Sequence, residues 1–204
     1  MDVKIIKVGQ LDTNCYLVYE NNEGVIIDPG DDGIKIYNEI LSRGLTIKFI
    51  ILTHWHFDHV CALDYVKEKT GAKVVISHVD STMLSKNIPG FPQVTLPYSK
   101  PDILVSDGDT LKFGETELKV ISTPGHTAGG ISIISNDSIF SGDTLFKESI
   151  GRCDLPGGNM KTEINSAKKL LQFPDDTVIY PGHGERTTVG HEKIYNFYVL
   201  GMFS

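Results

Sequence analysis

The chain has 204 residues, 40% of them apolar and 22% charged, and a formal net charge of −7 at neutral pH. That length suits one domain with a sizeable core, and no apolar run approaches the ~18–20 residues of a bilayer crossing. The acidic balance argues against non-specific nucleic-acid binding, and Cys15, Cys61 and Cys153 are too few and too scattered for a disulfide framework.

In chain order, residues 1–7 lack the apolar stretch and cleavage site of a signal peptide, and with so few and scattered cysteines a reducing cytoplasm is the expected compartment. Residues 3–8, 15–19 and 24–28 are β-prone, with Asn21-Asn22-Glu23-Gly24 as the hairpin turn between the last two. After Asp28-Pro29-Gly30-Asp31-Asp32-Gly33, a helix is predicted with Ile36, Ile40 and Leu41 on its apolar face and Gly44 near its end. Residues 48–52 form a short apolar run that reads as a buried strand. A helix over 58–70 follows, with Val60, Leu63, Tyr65 and Val66 inward, then a buried strand at 73–77 with His78 behind it.

Residues 86–102 carry Pro89, Pro92, Pro97 and Pro101 and are expected to be a loop, a possible cover in which Phe91 and Tyr98 line a site. Strands are predicted at 103–105, 110–113, 116–122, 131–135 and 138–142, the last pair turning at Asn136-Asp137. A Gly-rich loop over 151–159 leads to a helix over 161–171. A strand at 177–180 and a helix over 192–200 close the chain. Strands followed by helices, twice over, predict an α/β fold: a four-layer αββα sandwich of two mixed sheets with helices on both outer faces. No linker divides the chain, so one domain over 1–204 is expected.

Three of the seven histidines fall in "ILTHWHFDHV", residues 51–60. His54, His56, Asp58 and His59 are not one helix face, because residues two apart do not face one another on a helix. In an extended segment His54 and His56 converge on one point. A helix beginning near Asp58 turns Asp58 and His59 toward a second. Trp55 and Phe57, alternating with them, should point into packing. So much imidazole behind a buried strand is costly without a ligand.

Further ligands are available at other strand ends, in "TPGHTAGG" (His126), "FSGDTLF" (Asp143) and "YPGHGE" (His183), each preceded by a glycine that permits a sharp turn. One metal would take His54, His56 and His126. A second would take Asp58, His59 and His183, with an oxygen of Asp143 bridging the two at the ~3.5–4 Å separation of hydrolytic dinuclear sites. Zinc is the expected metal, with iron or manganese also compatible with such a donor set.

These residues resemble the metallo-β-lactamase superfamily. Its H-x-H-x-D-H signature stands as His54-Trp55-His56-Phe57-Asp58-His59, and its downstream His, Asp and His as His126, Asp143 and His183. The resemblance runs from "TNCYLV" and "IDPG" to "YPGHGERTT" and is strongest, through "SIGRCDLPGG", to small glyoxalase II-like hydrolases. Cys61-Ala62 stand where relatives often carry two glycines, and Ala128 replaces a frequent proline. Asp143 argues against the zinc β-lactamase branch and His56 against the flavodiiron branch.

The resemblance implies hydrolysis of a thioester or ester, a small-molecule substrate such as S-lactoylglutathione, by a hydroxide bridging two divalent ions. Asp58 and Asp143 are the implied catalytic ligands, and Arg152 the implied contact for an anionic substrate. Larger glyoxalase II enzymes hold glutathione partly through a C-terminal helical region that this sequence does not show. The alternative is a persulfide dioxygenase with one iron on two histidines and the aspartate. No membrane partner is expected.

Overall fold

The computed structural model describes residues 1–84 and 96–201. Two six-stranded mixed sheets with helices make an α/β fold. The chain's contacts group into two compact units, residues 1–105 with 111–117, and residues 106–110 with 118–204.

The first unit is built on a sheet in the order β1 (Asp2–Val8), β2 (Thr13–Glu20), β3 (Glu23–Ile27), β4 (Thr46–Ile51), β5 (Lys73–Ser77) and β6 (Ile103–Val105). The first three strands are antiparallel; from β3 onward neighbours are parallel. Residues 25–27, 50–52 and 74–76 are all buried, so these strands read as continuous apolar runs rather than alternating ones. Ile26, Ile50, Leu52, Val74 and Ile76 form one core with Ile36 and Ile40 of α1 (Gly33–Ser42) and Leu63 and Val66 of α3 (Leu63–Thr70). Each such aliphatic side chain contributes about 1.5–3 kcal/mol on burial.

Leu41, expected on the inner face of α1, is instead exposed. Five residues from Ile36, it lies roughly 140° round the helix, outside the stripe that Ile36 and Ile40 define. Gly44 closes α1 in the left-handed region, its N–H on the Leu41 carbonyl.

The helix expected over 58–70 is two helices, α2 (Phe57–Val60) and α3. The break has a cause: the Ala62 N–H donates to the Pro29 carbonyl rather than to the preceding turn, and α3 restarts from the Ala62 carbonyl. Val60, Leu63 and Val66 are buried as expected, whereas Tyr65 is only half-buried. A short helix, α4 (His78–Ser81), capped by Ser77, follows β5. The loop expected over 86–102 lies outside the described residues up to position 95, and Phe91 with it; Tyr98 is exposed, its N–H on Asp64.

The second sheet runs β14 (Thr187–Thr188), β13 (Val178–Pro181), β10 (Ser138–Gly142), β9 (Ile131–Ser135), β8 (Thr116–Ser122) and β7 (Thr110–Phe113). Strands β10 and β13 are parallel, whereas β8, β9 and β10 are antiparallel neighbours. Its core joins Ile121, Ile134, Ile139 and Ile179 to Ala167 and Leu170 of α5 (Met160–Leu170), Val189 of α6 (Val189–Tyr195) and Val199 of α7 (Phe197–Leu200).

Three features of this unit depart from expectation. The closing helix breaks at Asn196, whose extended backbone accompanies side-chain donation to the Ser149 carbonyl and Glu192. A small hairpin, β11 (Leu145–Phe146) with β12 (Ser149–Ile150), precedes the Gly-rich loop, turning through Glu148 at positive φ. Strand β14 is two polar residues long, too short for a periodic signal. No helix among the described residues is long and apolar enough to cross a membrane.

Candidate metal centre

Parallel strands β3 and β4 end side by side, and the first half of the site is built from the residues just past them. Asp28, in the left-handed region, donates its N–H to the Ile51 carbonyl and turns a buried carboxylate toward Thr53. Its Oδ1 accepts the Thr53 N–H at 2.7 Å. Its Oδ2 accepts the Thr53 hydroxyl at 2.7 Å and meets His59 Nδ1 at 2.9 Å.

This network sets tautomers. A carboxylate only accepts, so His59 carries its proton on Nδ1. The Thr53 hydroxyl donates to Asp28 and so accepts from His54 Nδ1 at 3.0 Å. Both imidazoles thereby present Nε2 as the lone-pair nitrogen, which is how histidine is prepared for a metal. His54, His56 and His59 are all buried, with the His54 ring centroid 4.8 Å from His56 and 4.2 Å from His59. Asp58 Oδ2 accepts the Thr13 hydroxyl at 3.2 Å and lies 3.4 Å from His59 Nε2.

Asp28, His54 and His59 bring potential ligand atoms within 4.8 Å of one another. Asp28 nonetheless has both oxygens committed to Thr53 and His59, which makes it the support of the histidines rather than a ligand. Gly30 lets α2 come close: a Cβ there would stand 1.7 Å from the Asp58 carbonyl oxygen. Trp55 points into the core as expected, while Phe57 is only half-buried.

The second unit carries the other expected ligands at the ends of β8, β10 and β13. His126 Nδ1 meets the Arg152 carbonyl at 2.7 Å; a carbonyl only accepts, so here too Nε2 keeps the lone pair. Asp143 Oδ2 lies 3.5 Å from His126 Nε2 and 3.6 Å from His183 Nε2. Two ligands ~2.1 Å from one zinc at a tetrahedral angle stand roughly 3.4 Å apart. The His59–Asp58, His126–Asp143 and His183–Asp143 separations match that edge, and one oxygen of Asp143 serves two of them. Imidazole nitrogens with carboxylate oxygens suit zinc, iron or manganese, so the donor set in each unit fits the expected ions.

Arg152 is exposed, its guanidinium forked onto Asp154 through two 2.7 Å hydrogen bonds that hold the Asp154 carboxyl down at about 2. Its contribution to the site within this unit is the carbonyl that receives His126. Lys147 pairs with Glu185. The three cysteines are free thiols. Burial pushes Cys61 up to about 11, with Asp31 and Asp58 adding to it, and Cys153 up to about 11 as well, so neither is an activated nucleophile.

Sequence reasoning assigned no role to Asp28, Thr53 or Glu163. Asp28 stands in the quoted "IDPG", and a carboxylate at the end of a β-prone run, just before Pro29-Gly30, was its only signal. Glu163 on α5 is fully buried and pushed up to about 8, by burial first and by Asp143, against the pull of the His126 and Gly151 N–H groups. It had no signal, since Glu is ordinary in a first helical turn.

A sequence model of the metallo-beta-lactamase superfamily matches residues 8–183. Hydroxyacylglutathione hydrolase GloC of Haemophilus influenzae is 34% identical over 207 residues, covering 96% of this chain and 97% of that protein. The crystal structure of BLEG-1 B3 metallo-beta-lactamase superposes with a TM-score of 0.90 at 34% identity, covering 97% of this chain and 99% of the other. TTHA1623 in a di-iron-bound form gives a TM-score of 0.87 at 34% identity, with 95% and 98% covered. A match of this extent, over a chain that folds into two mixed sheets with histidines and aspartates at their strand ends, has one reading: the chain belongs to the metallo-beta-lactamase superfamily.

Proposed function

We propose that the chain is a dinuclear metal-dependent hydrolase that cleaves a small acyl thioester, in the manner of glyoxalase II. The observation that carries the reading is Asp143 Oδ2 standing 3.5 Å and 3.6 Å from two imidazole nitrogens, the spacing of a carboxylate oxygen shared between cations. His54, His56 and His126 are the proposed ligands of one ion, Asp58, His59 and His183 of the other, with Asp143 common to both. The GloC likeness supports a hydroxyacyl thioester of glutathione as substrate. The di-iron form of TTHA1623 supports a pair of ions and widens the choice of metal beyond zinc.

Two divalent ions held there supply a water with a pKa near ~7 and polarise a carbonyl. The chain's residues do the rest. Asp28 and Thr53 hold the His59 and His54 rings in the Nδ1–H tautomer, and the Arg152 carbonyl holds His126 likewise. Arg152 is the proposed contact for an anionic group of the substrate, which would take over the guanidinium from exposed Asp154. The two units are proposed to act as one domain, because the family match spans both.

The test combines elemental analysis with turnover. Protein loaded with zinc, iron or manganese should carry two ions per chain and hydrolyse S-lactoylglutathione. Asp143→Ala should lose at least one ion and nearly all turnover. Full metal content and full activity in Asp143→Ala would remove the shared-ligand role. A chromogenic β-lactam belongs in the same panel, given the name of BLEG-1. Oxygen uptake on glutathione persulfide, with one iron per chain and no thioester hydrolysis, would instead establish the dioxygenase alternative.

A further inference from the structure

The loop that carries His126 is gripped by α5 along its backbone. Ser166 Oγ donates to the Pro124 carbonyl at 2.6 Å and the Asn159 N–H to the Gly125 carbonyl at 2.7 Å. Glu163 Oε2 accepts the His126 N–H at 2.7 Å. Glu163 is the member of this group that reaches a second ligand-bearing segment. The Gly151 backbone packs against its carboxyl group: a Cβ on Gly151 would lie 2.8 Å from Glu163 Oε1 and 1.8 Å from the Asp143 carbonyl oxygen.

Glycines at both contacts make this approach possible. A Cβ on Gly125 would fall 2.3 Å from Glu163 Cα and 2.4 Å from Oε2, so any side chain there would force α5 away from the loop. A carboxylate with no exposed surface and main-chain N–H groups as its neighbours is an expensive way to fill space. An apolar residue would pack as well. What the carboxyl group adds is an acceptor for the N–H of the residue that bears the His126 ring, at a point where the Gly151 backbone, lying against Asp143, packs beside Oε1.

We propose that Glu163 is a positioning residue for the metal centre, fixing the His126 backbone to α5 while the Gly151 backbone packs between its carboxyl group and Asp143, so that His126 Nε2 and Asp143 Oδ2 keep the separation a common cation requires. The inference rests on the dinuclear reading above. It assigns Glu163 no contact with substrate or metal.

The experiment compares metal-free wild type, Glu163→Gln and Glu163→Ala. Zinc affinity is measured in competition with a chromophoric chelator, and the d–d absorption of the cobalt(II)-loaded proteins reports ligand geometry. Circular dichroism of each metal-free protein establishes that it is folded. Glu163→Ala should bind zinc about 10–100-fold more weakly at one site, the usual effect of losing a group that orients a ligand. Glu163→Gln, which keeps one acceptor oxygen, should lose less, with shifted cobalt bands. A folded Glu163→Ala that matches wild type in affinity and spectrum would overturn the proposal. If Glu163→Ala does not fold, wild-type affinity and bands in Glu163→Gln overturn it equally. Wild type that takes up no metal at all is a different result, which removes the dinuclear reading and this inference with it.

Discussion

Asp28 shows how one side chain can organise a site without being a ligand. Its two oxygens take three hydrogen bonds, and two of these run on to His59 directly and His54 through Thr53. Asp28→Asn replaces one acceptor with a donor: an amide NH2 at the Oδ2 position takes the acceptor from both the Thr53 hydroxyl and His59 Nδ1–H, and at the Oδ1 position it sets a donor against the Thr53 N–H, so either way the support of the His59 tautomer is weakened. Zinc affinity at the His59 position is expected to fall about 10–100-fold, read by chelator competition. Unchanged affinity would mean that the His59 ring is held by packing alone. The seven proposed ligands stood out in the sequence because histidine and aspartate are scarce in a buried strand's exit. Asp28, 25 and 31 residues from its partners, did not, because a buried acid announces its role only through what it touches.

At the scale of elements, the joins between strands and helices carry more of the structure than propensity suggests. Helix α2 ends because Pro29 takes the next N–H, and its first turn stays near β3 because position 30 has no side chain. Asp102 makes a comparable join beside β6. Its Oδ2 accepts the Val74 N–H at 2.8 Å and Lys67 Nζ at 2.8 Å, tying β5 and α3 to the strand that follows. The Lys67 hydrogen bond, then the Val74 N–H, hold the Asp102 carboxyl below its ordinary value. A depressed acid contributes stability above its unfolded value, near pH 4, and loses it as pH falls through the folded one. Asp102→Asn is therefore expected to cost less than about 1 kcal/mol at pH 7, the group being well exposed. In urea unfolding the deficit should shrink below pH ~4. A deficit that stays constant down to pH 2 would mean the charge is not its source. Element existence followed from periodicity nearly everywhere; breaks such as Cys61-Ala62 and Asn196 did not, since each depends on a hydrogen bond to a distant segment.

For the whole molecule, the proposed ligands come from both units, so metal should act on the stability of the entire chain. With free metal at ~100 times its Kd, binding to the native state adds about 2.7 kcal/mol. For a chain of this size that raises Tm by roughly 5–10 °C. Melting with and without a chelator, followed at Trp55, checks it: this single tryptophan is buried, its ring 4.7 Å from that of His56. Restored metal should restore the Tm. Identical melting in both conditions would show that the ions contribute nothing to holding the fold.

The sequence by itself determined the α/β class, most strands and the density of histidine and aspartate at strand ends, because burial patterns and imidazole clustering are local properties of the chain. Leu41 marks the limit of that reading: its apolar side chain qualified it for the core, and the turn of α1 carried it to the surface. Tertiary structure alone decided which carboxylates support the histidines, which nitrogen of His54, His59 and His126 carries the proton, and which glycines must lack a Cβ. These depend on partners brought together from 25 to 37 residues away, as Thr53 to Asp28 and His126 to Glu163 show, and no local pattern encodes a distance of 2.7 Å.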